Sequence, residues 1–185
     1  MMRTVLVIVV VALVCVLNGC GYKFGNIAPN GIRSLHVDRV VVSKTCDEPR
    51  MGIYAAEKIR TAFVSDGSVK LSSADVADAR LVTKVDDYRV TATGRTKLTP
   101  PDPKQEKYVA SIWTVTVTVR FKVVRNGVDE KTLAWRTVKG RAIFSDVLDI
   151  TTVRQAGIRQ ALVDASKKLV RESLDTDWKP VAKSN

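Results

Sequence analysis

The chain has 185 residues, 45% of them apolar, enough for one domain with a real core, and it carries a formal net charge of +11. A single histidine and three cysteines supply no sulfur–imidazole metal cluster of recognised spacing, so a zinc-built domain is excluded and no metal or cofactor is expected.

Arg3 is the only charge before an apolar run from Val5 to Leu17, and Asn18, Gly19 and Cys20 follow. A charged start, a short apolar middle and a small residue before the cut describe a secretory leader over residues 1–19. Thirteen helical residues span about 20 Å against a hydrocarbon core of roughly 30 Å, too short for a membrane-spanning helix. Leu17-Asn18-Gly19-Cys20 resembles the lipobox of bacterial lipoproteins, although Asn18 occupies a position usually smaller or more apolar. The resemblance implies that Cys20 is acylated and becomes the first residue of the mature chain. Several acyl chains give stable membrane anchoring where one gives marginal binding. Gly21 stands where an aspartate would resemble an inner-membrane retention signal. The expected address is therefore the periplasmic face of the outer membrane. Export makes nucleic acid a poor partner for the basic excess and leaves phosphorylated lipid, lipopolysaccharide above all, as the available anion. A plainly solvated basic surface is the alternative.

Residues 20–34, with three glycines, a proline and two asparagines, read as a lipidated tether. A domain over 35–175 and a polar tail over 176–185 follow. The β-branched run 35–44 predicts a strand, and Thr45-Cys46-Asp47-Glu48 fits a helix capping box. Met51, Ala55, Ile59, Ala62 and Phe63 then recur at helical spacing, closed by Gly67. Val69 to Leu71 is a further extended piece, and 80–93 is strand-like. Residues 94–107 hold three prolines and predict a loop. Trp113, Val115, Val117, Val119, Phe121 and Val123 alternate with Thr114, Thr116, Thr118, Arg120 and Lys122, which is one buried and one wet strand face. Asn126-Gly127 predicts a hairpin into a strand over 131–144. Thr152 to Gln155 fits a second capping box, before a stripe of Ile158, Ala161, Leu162, Ala165 and Leu169. The reading is an α+β two-layer sandwich in the order β-α-β-β-β-α. Two helices cover one face of a four-stranded, mainly antiparallel or mixed sheet, and the other face is free.

The inventory for catalysis is thin. His36 sits in the first strand, no nucleophile elbow or phosphate loop is present, and adjacent Asp86 and Asp87 should point to opposite sheet faces. The chain reads as a non-enzyme. Cys46, left alone once Cys15 and Cys20 are accounted for, is either a partly buried small side chain or the partner of another protein's cysteine. Trp113 should be core. Trp135 shares a register with Thr137, Lys139 and Arg141, and either faces outward beside them or packs in the core. The wet face and the adjoining loop gather Arg95, Lys97, Arg120, Lys122, Lys139 and Arg141, six candidates for contacts to anionic lipid headgroups.

The Cys20-Gly21-Tyr22 start, the stretch SKTCDEPRMGIYAAEKIRTAFVSDG, the words SSADVADARL, Tyr88, Trp135 and a closing helix together resemble the LptE group of lipopolysaccharide-assembly lipoproteins. The resemblance spans most of the mature chain in short words. It implies a two-layer sandwich that partners or plugs an outer-membrane β-barrel of the LptD type and helps deliver lipopolysaccharide, without catalysis. Lipoproteins of the LpoB kind, which activate peptidoglycan synthases, share much of this architecture and supply the second reading, an adaptor with no lipid site.

Overall fold

A computed structural model describes residues 31–98, 107–145 and 150–175, and of the first and last few residues at the two inner breaks only the backbone. The leader, Cys20, most of the tether, the tip of the Pro-rich stretch and the tail after 175 lie outside the described residues. The elements are β1 (Ser34–Val37), β2 (Val41–Val42), α1 (Met51–Asp66), β3 (Lys70–Leu71), β4 (Ala79–Leu98), β5 (Lys107–Arg125), a 3-10 turn (Glu130–Thr132), β6 (Arg136–Ser145) and α2 (Ile150–Asp175). No described helix is long and apolar enough to cross a membrane.

Two helices lie on one face of a mixed sheet, as the sequence predicts, but the sheet has six strands in the order β3-β1-β4-β5-β6, with β2 also on β4. The strand expected over 35–44 breaks at Asp38–Val40 into β1 and β2, and the short piece at Lys70–Leu71 becomes an edge strand. β1, β2 and β3 pair in parallel, as the crossover through α1 demands, while β4, β5 and β6 are antiparallel.

β4 and β5 form one long hairpin, paired from Ala79↔Arg125 to Leu98↔Lys107. The loop expected over 94–107 is corrected at both ends, because pairing continues past Gly94 to Leu98↔Lys107, and residues 99–106 lie outside the described residues. At β4 the buried residues are Ala79, Leu81, Thr83 and Val85, and then the register slips, with Val85 opposite Val119 but Asp87 opposite Thr118. Asp86 is the extra residue of a bulge. Apolar positions accordingly change phase to Tyr88 and Val90, which pack against the core. On β5 the buried stripe is Val115, Val117, Val119, Phe121 and Val123. Trp113 is only half-buried, contrary to expectation. The stripe stops at Val115, where Gly157 of α2 rests on it, and Trp113 lies one step further along the hairpin.

α1 buries Met51, Ala55, Ile59 and Phe63, and α2 buries Ile158, Ala161, Leu162, Ala165 and Leu169. Each large side chain contributes about 1.5–3 kcal/mol by leaving water. The N-terminal signals fail at both helices. Arg50, without a side-chain cap, precedes α1. The Thr45 hydroxyl instead donates to the Asp86 carbonyl at 3.0 Å, with the Ser43 hydroxyl also 3.0 Å away, fixing the loop to β4. Thr152 lies inside the first turn of α2, which begins at Ile150. Gly67 does close α1 in the left-handed region (φ 72°), its N–H on the Phe63 carbonyl at 3.0 Å. The turn at Asn126-Gly127 is present, with Gly127 at φ 80°. β6 nevertheless begins at Arg136 rather than 131, because the chain winds through the 3-10 turn capped by Asp129.

Gly140 of β6 is where α2 touches the sheet most closely. A Cβ there would sit 1.9 Å from the Ala161 carbonyl and 2.6 Å from the Ala165 nitrogen, both helix backbone. Gly140→Ala is expected to destabilise the domain by about 3 kcal/mol, read as a lowered urea midpoint. Asp78 ties three segments at the opposite end. Its Oδ2 accepts from the N–H groups of Arg33 (3.0 Å) and Ser34 (2.8 Å) and from Ser34 Oγ (2.8 Å), and its carbonyl accepts from Asn126 N–H. The Ser34 hydroxyl, then the two backbone donors, hold its carboxyl below the ordinary 3.8. A depressed folded value stabilises above the ordinary pKa and is lost as pH falls through the folded one. The melting-temperature gap between wild type and Asp78→Ala should therefore hold steady from pH 7 to pH 5 and close below pH 3.8.

Candidate functional site: the helix-free face of the sheet

Residues that alternate with the buried stripes form the uncovered face. Strand pairing aligns them in rows: Lys84-Arg120-Thr137, Asp87-Thr118-Lys139 and Arg89-Thr116-Arg141. Four of the six candidates, Arg120, Lys122, Lys139 and Arg141, thus share one face, as the alternation predicts. Their environments differ.

Arg120 and Lys122 are occupied within the protein. Arg120 grips Asp86 through its guanidinium, Nη2 donating at 2.8 Å, and the carboxylate raises the Arg120 pKa above its ordinary value. Lys122 is 4% exposed, its Nζ 2.9 Å from the Glu130 carbonyl and 3.2 Å from Glu130 Oε1. Trp135 faces outward, 40% exposed, with Lys122 Nζ 4.6 Å and the Arg120 guanidinium 5.8 Å from its ring centroid. Two cations on one indole fix the ring on the face. The Glu130 contacts hold the 3-10 turn down on β5, which is why β6 starts late.

Lys139 and Arg141 are exposed and make no ion pair with a described residue. Their backbones are bound from the other side. Lys168 Nζ donates to the Lys139 carbonyl at 2.9 Å, and Arg141 N–H donates to Asp164 Oδ2 at 2.9 Å. Arg95 is exposed on the β4 arm of the long hairpin, away from these rows, opposite Ala110. Lys97 pairs with Tyr108 further along, and its side chain lies outside the described part.

Asp86 and Asp87 lie on this face together, a correction to the expected opposition, because the bulge adds the one residue that turns both the same way. Asp86 is shared by Arg120 and Lys84, and Asp87 takes Arg89 Nε at 3.0 Å. The phase change of apolar residues from Leu81, Thr83 and Val85 to Tyr88 and Val90 is the sequence signal for that bulge. No signal of comparable strength marks Glu130 as the partner of Lys122. His36 Nδ1 lies 3.0 Å from the Ser72 carbonyl at the far edge. Cys46 is half-buried, and burial, with Asp87, Asp86 and Asp47 nearby, pushes its thiol pKa up. Among the described residues no group of three His, Cys, Asp or Glu could hold a metal.

The fold and this face define a two-layer α/β sandwich with one basic, tryptophan-bearing sheet surface. No family model and no curated protein matches the chain. Solved structures do. A Xanthomonas campestris protein of the DUF330 family is 16% identical over 77% of this chain and 83% of its own, with a TM-score of 0.54. A minor lipoprotein from Acinetobacter baumannii is 14% identical (76% and 91% covered, TM-score 0.45), and rare lipoprotein B from Shewanella oneidensis is 13% identical (76% and 92%, TM-score 0.41). The likeness to the Xanthomonas protein is one of fold.

Lys122 needs Glu130 more than the fold needs Lys122. Lys122→Met should stay within about 1 kcal/mol of wild type, because the half-exposed Glu130 regains water, whereas Glu130→Ala leaves a buried ammonium with the residue-130 carbonyl but no counter-charge and should cost about 2 kcal/mol. Chemical denaturation followed by tryptophan fluorescence reads both.

Proposed function

We propose that this chain is an exported lipoprotein, acylated at Cys20 and held on the periplasmic face of the outer membrane. There it acts without catalysis as the partner of an LptD-type β-barrel in lipopolysaccharide assembly. The observation that carries the reading is the helix-free sheet face, where Lys139 and Arg141, exposed and without an ion pair among the described residues, lie on the same side as an outward Trp135. Phosphate groups fit such cations through charge-assisted hydrogen bonds, for which arginine's fork is suited. Arg120 and Lys122 serve this surface by orienting the indole, since their charges are already answered by Asp86 and Glu130. Arg95 and Lys97 extend the basic character onto the long hairpin.

The full chain in detergent should bind lipopolysaccharide, and binding should fall as salt rises, because exposed charges are screened over about 8 Å at physiological ionic strength. Lys139→Glu with Arg141→Glu should weaken binding about tenfold or more. Arg120→Glu should also disturb the fold by losing the Asp86 pair. Unchanged affinity in the Lys139/Arg141 variant eliminates this face. Co-purification with a peptidoglycan synthase instead of a barrel would favour the adaptor reading. Fatty-acid labelling that marks wild type and not Cys20→Ser tests the anchor separately.

A further inference from the structure

A second surface lies on the far side of the sheet. We infer that the groove between α1 and the β1–β2 edge takes an extended, apolar segment of a partner protein bearing a carboxylate, which adds as a strand beside β2. This goes beyond the lipid reading and uses none of its residues.

The groove has a volume of about 1110 Å³ and runs between the break after β1 and the outer flank of α1. Its apolar surface includes Val41, 55% exposed, and Ile53, 69% exposed. Val64, about three turns beyond Ile53 on the same flank of α1, is also 69% exposed. β2 pairs only with β4, so among the described residues no strand lies along its other side. Ser43 N–H bonds to the Val85 carbonyl at 2.9 Å, so the alternate residue, Val42, turns its N–H and C=O away from β4. An unpaired edge beside a helix-walled apolar groove is the arrangement that β-strand addition uses. Main-chain bonds supply affinity and the groove selects alternate side chains.

The charge at the groove selects the occupant. Arg39 is exposed and makes no ion pair with a described residue, and the exposed Arg60, also without an ion pair among the described residues, reaches the Val37 carbonyl at 3.4 Å. The one acid lining the groove, Glu57, is held by Lys58 at 2.8 Å. Two available guanidiniums beside an apolar edge fit a carboxylate among β-branched residues. The opposite edge of the sheet offers no such opening, since α2 side chains already bind the backbone of β6.

The test is selection of displayed random dodecapeptides on the full chain in detergent. Peptides alternating aliphatic residues with at least one Asp or Glu should be enriched, and their synthetic forms should shift the amide resonances of residues 39–42 and 52–61. Val42→Pro removes an N–H that β4 does not use, which an edge strand tolerates, and trims a side chain at the margin of the core, with Val42→Ala as the control for that loss. It should leave the melting temperature near wild type and weaken these peptides about tenfold. Should that variant not fold, Arg39→Glu with Arg60→Glu carries the test by inverting the preference from acidic to basic peptides. Absence of enrichment, equal binding to the folded Val42→Pro variant, an unchanged charge preference, or resonance shifts at these residues produced by phosphatidylglycerol vesicles instead of peptide would each overturn the proposal.

Discussion

The antiparallel pairing of β4 with β5 is the constraint on which the other elements depend. β1 and β2 attach in parallel to β4, β6 attaches to β5, and both helices pack on the face these strands share. Period-two alternation allows one face to stay apolar only while register is kept. On β5 the apolar residues keep one phase from Val115 to Val123, but on β4 they change phase between Val85 and Tyr88. The Asp86 bulge reconciles the two. Without it Tyr88 and Val90 would turn to the wet face, and Asp87 would enter the core. The same extra residue delivers Asp86 to Arg120, so the repair of the register also sets the electrostatics of the open face.

Much of this was legible because it rests on local pattern. The β5 alternation, the α1 and α2 stripes and Gly67 as a cap each follow from period and residue type, whereas the sequence left Trp135 open between an outward and a core position. What was not legible depends on tertiary competition. Thr45 has the spacing of a cap, yet its hydroxyl finds the Asp86 carbonyl, forty-one residues away, and the helix starts without it. The strand over 35–44 breaks since Asp38 is drawn to Arg80, and β6 starts late because Lys122 captures Glu130. Charge type alone placed six cations in one class, while burial and pairing divide them. Two on β5 are answered within the fold, and two on β6 have no ion-pair partner among the described residues.

That division follows from what lies across the sheet. At β6, Asp164 is held below its ordinary pKa although burial opposes it, because Lys168 and the Arg141 N–H both bind it. Asp164 thus binds the Arg141 backbone from the helix side, while the Arg141 side chain stands on the opposite face. α2 lies so close here, over Gly140, that its side chains also cover the free edge of the strand. Covering an edge removes a template for unwanted pairing. Among the described residues no side chain binds the outward backbone of β2.

The two uncovered features are mechanically separate. The basic rows end on β6, and the groove opens beyond β2, with β4 and β5 between them. A ligand on Lys139 and Arg141 touches neither the Val42 edge nor α1, and a strand added at β2 leaves Trp135 in place. Charges that far apart across a folded domain lie beyond a Debye length of one another, so occupation of one surface alters the field at the other little. Any coupling must then pass through the β4–β5 hairpin itself. Its bulge at Asp86 is the point where both sides meet, with Thr45 beside β2 on its carbonyl and Arg120 beneath Trp135 on its carboxylate.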